Sequence, residues 1–335
     1  MTQFAMPAAV RLLMQRLETA GHETWAVGGC VRDSLLGVLP HDWDLTTAAP
    51  PEQMMALLPQ AIPTGLAHGT VTVPTEAGPI EITTFRAETG YADHRRPDAV
   101  RFLTEIEGDL ARRDFTVNAM AWHPERGLRD PFGGQADLAA RVLRCVGDPD
   151  RRFSEDALRM LRALRFAARL DAVIEPATAE AMERHAAELS YVAHERIYTE
   201  LRGLLAADGA ALGEQFPQLL STAVSKLPLP GSKRATRTWR TQLGDRDVDR
   251  LLHWCEQFGG QDIAQAQAYL AQLRDEERAI KPDIDGAALI AMGIPAGPEM
   301  GRVMQQLRTA VEAGLVENQR EALCRWLQNM RKTGT

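Results

Sequence analysis

Asp42-Trp43-Asp44 sets two carboxylates one residue apart, and on a strand residues i and i+2 share a face. Carboxylates held that close repel each other unless a cation lies between them. A divalent metal is the natural occupant, and oxygen ligands suit Mg²⁺. Just upstream lies Gly28-Gly29-Cys30-Val31-Arg32-Asp33. A glycine pair before a helix-like run lets the backbone approach a phosphate and offers N–H groups to it. Asp-x-Asp alone is weak, because turns are rich in Asp. A third carboxylate strengthens it: in Ile80-Glu81-Ile82-Thr83 the isoleucines alternate with polar residues, so Glu81 faces away from an apolar core. Asp42, Asp44 and Glu81 together suit two metal ions clamping the attacking and leaving oxygens of an in-line phosphoryl displacement.

Two further blocks carry polar chemistry. In Arg112-Arg113-Asp114-Phe115-Thr116-Val117-Asn118-Ala119-Met120, Asp114 reads as the N-cap of a helix with Phe115 and Met120 buried. That reading leaves Arg113, Asp114 and Asn118 available to a ribose or triphosphate. In Glu155-Asp156-Ala157-Leu158-Arg159-Met160-Leu161-Arg162, Ser154 reads as the N-cap, and Asp156 and Arg159 at i and i+3 share a helix face. An isolated Asp-x-x-Arg is usually a surface ion pair of little worth. A carboxylate that accepts beside a guanidinium that donates also matches a base edge with an amino donor next to a ring-nitrogen acceptor. Adenine and cytosine show that order and guanine and uracil the reverse, so such a pair takes ATP and CTP and refuses GTP and UTP.

These residues need an α/β frame followed by helices. Trp25–Val27, Val71–Val73 and Ile80–Phe85 read as strands, the last two joined by a Thr75–Pro79 hairpin turn. Phe4–Leu17 reads as a first amphipathic helix rather than a signal peptide. From about residue 141 strand signals fade, and 154–206 carries helical spacing of Leu158, Leu161 and Leu164. The stretch Leu227–Lys233 (LPLPGSK) marks a boundary or loop, after which helical pattern resumes. The 335 residues allow two or three domains, and 45% apolar residues support a substantial core. The four cysteines have no CxxC spacing, which argues against a zinc site or disulfide framework and fits a reducing cytoplasm. No apolar run reaches membrane-span length.

The net charge of −7 would by itself argue against nucleic acid. Its distribution says more. Residues 1–150, which hold the proposed metal site, carry the whole −7, and 151–335 balance to zero. Between Lys226 and Arg250 seven cations face three aspartates, with Trp239 among them. Such a run contacts a phosphate backbone or stacks on a base. The plain alternative is a solvated helix face.

Taken in order, the blocks resemble those of the class II tRNA nucleotidyltransferases, the bacterial CCA-adding enzymes and their poly(A) polymerase relatives. GGCVRDSLLG with DWD resembles the metal and triphosphate motif, and RRDFTVNAM the ribose motif. DPFGGQADL (130–138) resembles the link from head to neck, EDALRMLRALRF the amino-acid template for base choice, and HERIYTEL (194–201) the motif closing the neck. DGAALIAMGIPAGPEMG (285–301) resembles the family's tail.

The resemblance implies metal binding by Asp42 and Asp44 with Glu81 as third carboxylate, and triphosphate handling by Gly28, Gly29 and Arg32. It implies ribose reading by Arg113 and Asp114, and base selection by Asp156 and Arg159 with Arg162 in support. Thr89–Pro97 would be the loop that switches C to A addition. The implied fold is α+β: a small mixed-sheet nucleotidyltransferase head at 1–140, then an all-helical neck (141–206), body (207–275) and tail (276–335). The implied reaction is template-independent addition of CCA to tRNA 3′ ends from CTP and ATP, with Mg²⁺ and release of pyrophosphate. The partners are the acceptor stem and elbow of tRNA, with no membrane or DNA, in a cytoplasmic monomer or homodimer.

Gly65-Leu66-Ala67-His68-Gly69-Thr70 lacks the basic run of the poly(A) polymerases, and the loop absent from CC-adding enzymes is present. An A-adding enzyme with a CC-adding partner keeps every motif and stays open, as does poly(A) synthesis. A non-catalytic RNA binder has no use for three clustered carboxylates. The only His-Asp dipeptide is His41-Asp42, and His253 is the sole histidine after residue 206, so no phosphohydrolase activity is expected.

Overall fold

A computed structural model describes residues 4–90, 99–279, 282–312 and 314–333. Its strands are β1 (Thr24–Val27), β2 (Asp44–Thr47), β3 (Ile62–Gly65), β4 (Thr70–Thr75), β5 (Gly78–Thr84), β6 (Arg86–Thr89), β7 (Ala99–Phe102), β8 (Ala121–His123) and β9 (Gly127–Arg129), with a two-residue pair β10 (Val142–Leu143) and β11 (Val173–Ile174). The helices of the first part are α1 (Ala8–Thr19), α2 (Gly29–Leu35), α3 (Pro51–Leu57), α4 (Ile106–Ala111) and α5 (Gly134–Ala140). Then follow α6 (Pro149–Glu155), α7 (Leu158–Leu170), α8 (Pro176–His185), α9 (His194–Ala206), α10 (Ala210–Glu214) and α11 (Pro217–Ser225). The last are α12 (Lys233–Leu243), α13 (Asp245–Gln257), α14 (Ala264–Ala279), α15 (Gly286–Ala291), α16 (Pro298–Glu312) and α17 (Arg320–Thr333).

The head is a seven-stranded sheet in the order β3-β4-β5-β2-β1-β8-β9. Most neighbours are antiparallel, and β2 and β5 run parallel. Because side chains alternate along a strand, this pairing sorts them by face. Leu45, Ile80 and Ile82 lie on one face and are buried. Asp44 and Thr46 share the other face with Glu81 and Thr83, through the register Asp44↔Glu81 and Thr46↔Thr83. Over part of that second face lies α4, whose Ile106 and Leu110 pack with Trp25, Val27 and Phe85. The sheet is thus mixed, and its interior strand β1 is buried along its whole length.

After the head come helices, as the fading strand pattern predicts, interrupted among the described residues only by the β10–β11 pair. One expectation fails in detail. Glu155–Phe166 is not one helix capped by Ser154, because α6 ends at Glu155 and α7 begins at Leu158. Asp156 sits in the break with extended backbone, and its Oδ1 accepts from the Leu158 amide at 3.2 Å. A short polar side chain that bonds nearby backbone competes with the helix ladder in this way.

The chain divides into two compact units, 1–228 with 245–261, and 229–244 with 262–335. The division after residue 228 falls inside the Pro- and Gly-rich stretch marked as a boundary in the sequence. The first unit holds the head, α6 to α11 and α13. In the second, α12 packs against α14, and Ile284, Leu289, Ile294, Leu307, Leu323 and Leu327 form a core of their own. Among the described residues no helix is long and apolar enough to cross a membrane.

Candidate active site

The turn from β1 into α2 begins the site. Gly28 has φ 75°, where a side chain is strained, and a Cβ there would approach Arg113 Nη1 to 3.0 Å. Its N–H donates to the Met120 carbonyl at 3.2 Å, so Gly28 serves the turn and does not hold its amide free for a phosphate. Gly29 opens α2. Beside this turn Val27 is paired with Asp44 across the sheet.

Asp44 and Glu81 stand side by side on adjacent strands, both open to solvent. Partial burial, the Glu81 carboxylate and the Asp42 carboxylate raise the Asp44 carboxyl above its usual range, while the Arg113 guanidinium pulls the other way. Asp42 departs from the expectation that it shares a strand with Asp44. β2 starts at Asp44, and Asp42 lies in the preceding bend, 79% exposed, its Oδ1 2.9 Å from His41 Nδ1. Among the described residues no three His, Cys, Asp or Glu converge in a metal-holding arrangement.

A second cluster joins head to neck around Asp114. The expected helix entry is a single 3₁₀ turn, Thr116–Asn118. Asp114 Oδ2 accepts from Arg162 Nε and Nη2 at 3.0 and 2.8 Å, and its Oδ1 accepts from the Asn118 amide at 3.2 Å. Burial alone would raise the Asp114 carboxyl. Arg162 and Asn118 outweigh it and hold the group down at about 2. Asn118 Oδ1 accepts in turn from Arg32 Nη1 at 2.6 Å. Arg32 is only 3% exposed and also binds Asp33, so its guanidinium is enclosed, not open to a triphosphate. Arg113, by contrast, has a buried Nε without a hydrogen-bond partner and lies near Asp44.

The two base-selecting candidates are held separately. Asp156 accepts from Arg196 Nη1 and Nη2 at 3.3 and 2.8 Å. Arg159 donates to Glu155 Oε2 at 2.7 Å and to the carbonyls of Arg152 and Arg112 at 3.0 and 3.3 Å. Each side chain is held by its own neighbours, and the two do not share one helix face.

Sequence reasoning missed Asp109. It is fully buried on α4 and accepts from Arg112 Nε and Nη2 at 3.0 and 2.7 Å, from Arg113 Nη2 at 3.2 Å and from Thr46 Oγ1 at 3.5 Å. Burial opposes its charge, and the two guanidiniums override that and lower its carboxyl below the usual range. The only sequence signal is a carboxylate three and four residues before an Arg pair. Arg196 and Glu200 lay within the HERIYTEL block without a role; Glu200 meets Arg165 at 2.5 Å and Arg162 at 3.7 Å. The Thr89–Pro97 loop falls mostly outside the described residues. Cys30, beside the site, is no nucleophile: burial pushes its thiol up to about 12.

Residues 24–144 match the poly A polymerase head domain, and 173–215 match the probable RNA and SrmB-binding site of polymerase A. A CCA-adding enzyme of Limosilactobacillus reuteri is 32% identical across 97% of both chains. One from Latilactobacillus sakei is 46% identical over 206 residues, 61% of this chain and 52% of that one. Among solved structures, the Bacillus stearothermophilus CCA-adding enzyme in complex with CTP aligns over 98% of this chain and 99% of that one, with 28% identity and a TM-score of 0.59. The Thermotoga maritima CCA-adding enzyme complexed with tRNA shares the fold over 97% and 96% at 20% identity, with a TM-score of 0.53. With a mixed-sheet head, paired strand carboxylates and similarity along nearly all of both chains, this protein belongs to the CCA-adding enzyme family, nucleotidyltransferases with a poly(A) polymerase head.

Proposed function

We propose that this chain adds CCA to tRNA 3′ ends from CTP and ATP, releasing pyrophosphate at each step. The observation that carries the reading is the register Asp44↔Glu81 on adjacent parallel strands, with Asp42 two residues upstream. All three are oxygen donors, the ligand type a hard divalent cation takes. Mg²⁺ bound there would lower the pKa of the attacking 3′-hydroxyl and neutralise charge on the triphosphate. Asp42, Asp44 and Glu81 would hold it.

The chain's own residues do the rest. Arg113, kept beside Asp44 by Asp109, would meet the triphosphate or ribose. Asp114 and Asn118 would set the ribose edge of the site, with Arg32 bracing Asn118 from within and Gly28 and Gly29 shaping the turn. Asp156, aimed by Arg196, would accept from the base amino group. Arg159, aimed by Glu155, would donate to the ring nitrogen, with Arg162 in support. Adenine and cytosine satisfy both partners, whereas guanine and uracil leave both unpaired, which is the kind of mismatch binding sites reject most strongly.

In this reading 1–140 is the catalytic head, 141–206 the base-selecting neck, and 207–275 and 276–335 the body and tail that hold the acceptor stem and elbow of tRNA. The four cations of α12, of which Lys233 and Arg237 pair with Glu276, support the RNA-binding part.

Two tRNA transcripts test it, one ending just before CCA and one ending in CC. Each is incubated with Mg²⁺ and labelled CTP, ATP or both, and resolved at single-nucleotide length. Three additions to the first and then a stop are expected. Addition of A only to the CC-ended transcript would make it an A-adding enzyme, a long A ladder a poly(A) polymerase, and no extension of either would contradict nucleotidyl transfer.

A further inference from the structure

Phe166 lies on α7 in the block that resembles the base template, and nothing in the proposed chemistry uses it. Its ring is 7% exposed and has three guanidiniums about it. Arg32, Arg162 and Arg165 lie 5.3, 5.2 and 4.4 Å from its centroid. Arg32 comes from α2 of the head, and Arg162 and Arg165 from α7 of the neck. Three cations within that distance repel one another unless something intervenes. Each has a carboxylate of its own: Asp33 for Arg32, Asp114 for Arg162, Glu200 for Arg165. The ring supplies what carboxylates cannot, a flat, negatively polarised surface that holds planar guanidiniums in place.

The ring is itself braced. Its partner Phe115 is fully buried, with centroids 5.9 Å apart and planes at 73°. Phe115 immediately precedes the Thr116–Asn118 turn, so the same aromatic pair supports the turn that presents Asn118. Arg32 reaches Asn118, Asn118 reaches Asp114, and Asp114 reaches Arg162. Phe166 sits inside this circuit and touches both of its ends.

We propose that Phe166 is a positioning residue for nucleotide binding: its ring fixes Arg162 on Asp114 and Arg32 behind Asn118, so that head and neck present one rigid site to CTP and ATP alike. The proposal rests on the nucleotidyltransferase reading above. It concerns binding and not the chemical step, because no reacting atom is near the ring in that reading.

Equilibrium binding of CTP and of ATP, steady-state KM and kcat on a tRNA transcript, and thermal melting would be measured for wild type, Phe166→Leu and Phe166→Tyr. Leucine keeps apolar volume and loses the π face, whereas tyrosine keeps it. Phe166→Leu is expected to weaken binding and raise KM for both nucleotides by about fivefold or more, the scale of one to two lost cation–π contacts, with kcat within about twofold. Phe166→Tyr should stay close to wild type. Phe166→Met, unbranched and of similar volume, carries the same expectation should the leucine variant not fold. The proposal is overturned if the leucine or methionine variant binds both nucleotides like wild type while melting earlier, or if tyrosine fails as badly as leucine. Wild-type protein that binds neither nucleotide would instead sink the parent reading.

Discussion

Asp114 is a carboxylate that burial would neutralise and its neighbours keep charged. Its carboxyl is held at about 2, below the ordinary 3.8, chiefly because Arg162 and Asn118 overcome desolvation. A depressed folded-state pKa stabilises the fold above the unfolded value, and that stability drains away as pH falls through about 2. A shift of this size corresponds to about 2 kcal/mol. Urea unfolding of wild type and Asp114→Asn should therefore differ most at pH 6 and converge as pH drops from 4 toward 2.5. A gap that stays constant across that range would mean the Asp114 charge adds nothing. Which acidic residues matter was only partly legible. Asp44 announces itself by the Asp-x-Asp spacing and Glu81 by alternation with apolar neighbours. Asp109 does not, because its importance comes from α4 folding over the sheet face, a tertiary event without a local pattern. Asp42 was misread for a related reason: a strand boundary of two residues decides whether i and i+2 share a face.

Elements place these side chains, and the tightest constraint is the junction of α5 with the Thr116–Asn118 turn. Gly134 begins α5, and a Cβ on it would fall inside contact distance of the Thr116 carbonyl and 3.0 Å from Met120 Cγ. Gly134→Ala should thus push the turn that carries Asn118, lowering stability by about 1–3 kcal/mol and weakening CTP binding in calorimetry. Gly133→Ala makes a useful contrast, since open space surrounds its Cβ and only its φ of 73° is strained. Equal nucleotide affinity in Gly134→Ala and wild type would refute the coupling. The sheet core and the β4–β5 hairpin were readable because alternation and turn residues coincide there. β3, β8 and β9 were not, being only three or four residues long, and β3 carries Pro63 within it. The break at Asp156 was also hidden, since helical spacing runs through it and only the side-chain bond to the Leu158 amide interrupts it.

At the scale of the whole molecule, an acidic chain must still hold a polyanion. The head carries the excess of carboxylates, and α12 in the second unit gathers Lys233, Arg234, Arg237 and Arg240, with Glu276 of α14 paired to Lys233 and Arg237. tRNA affinity should fall steeply between 50 and 200 mM salt, at about a tenfold loss or more for several phosphate contacts. Arg234→Glu with Arg237→Glu should weaken tRNA binding and flatten that slope while CTP binding stays unchanged. An unaltered slope would make α12 a solvated face. The central claim is narrower: the strand carboxylates drive nucleotidyl transfer. Its most direct test compares wild type with Asp44→Asn on a tRNA lacking CCA, with CTP, ATP and Mg²⁺, resolving each added nucleotide, and with melting curves showing both proteins folded. The account predicts three additions and a stop for wild type and almost none for Asp44→Asn. Extension by Asp44→Asn at the wild-type rate would contradict it.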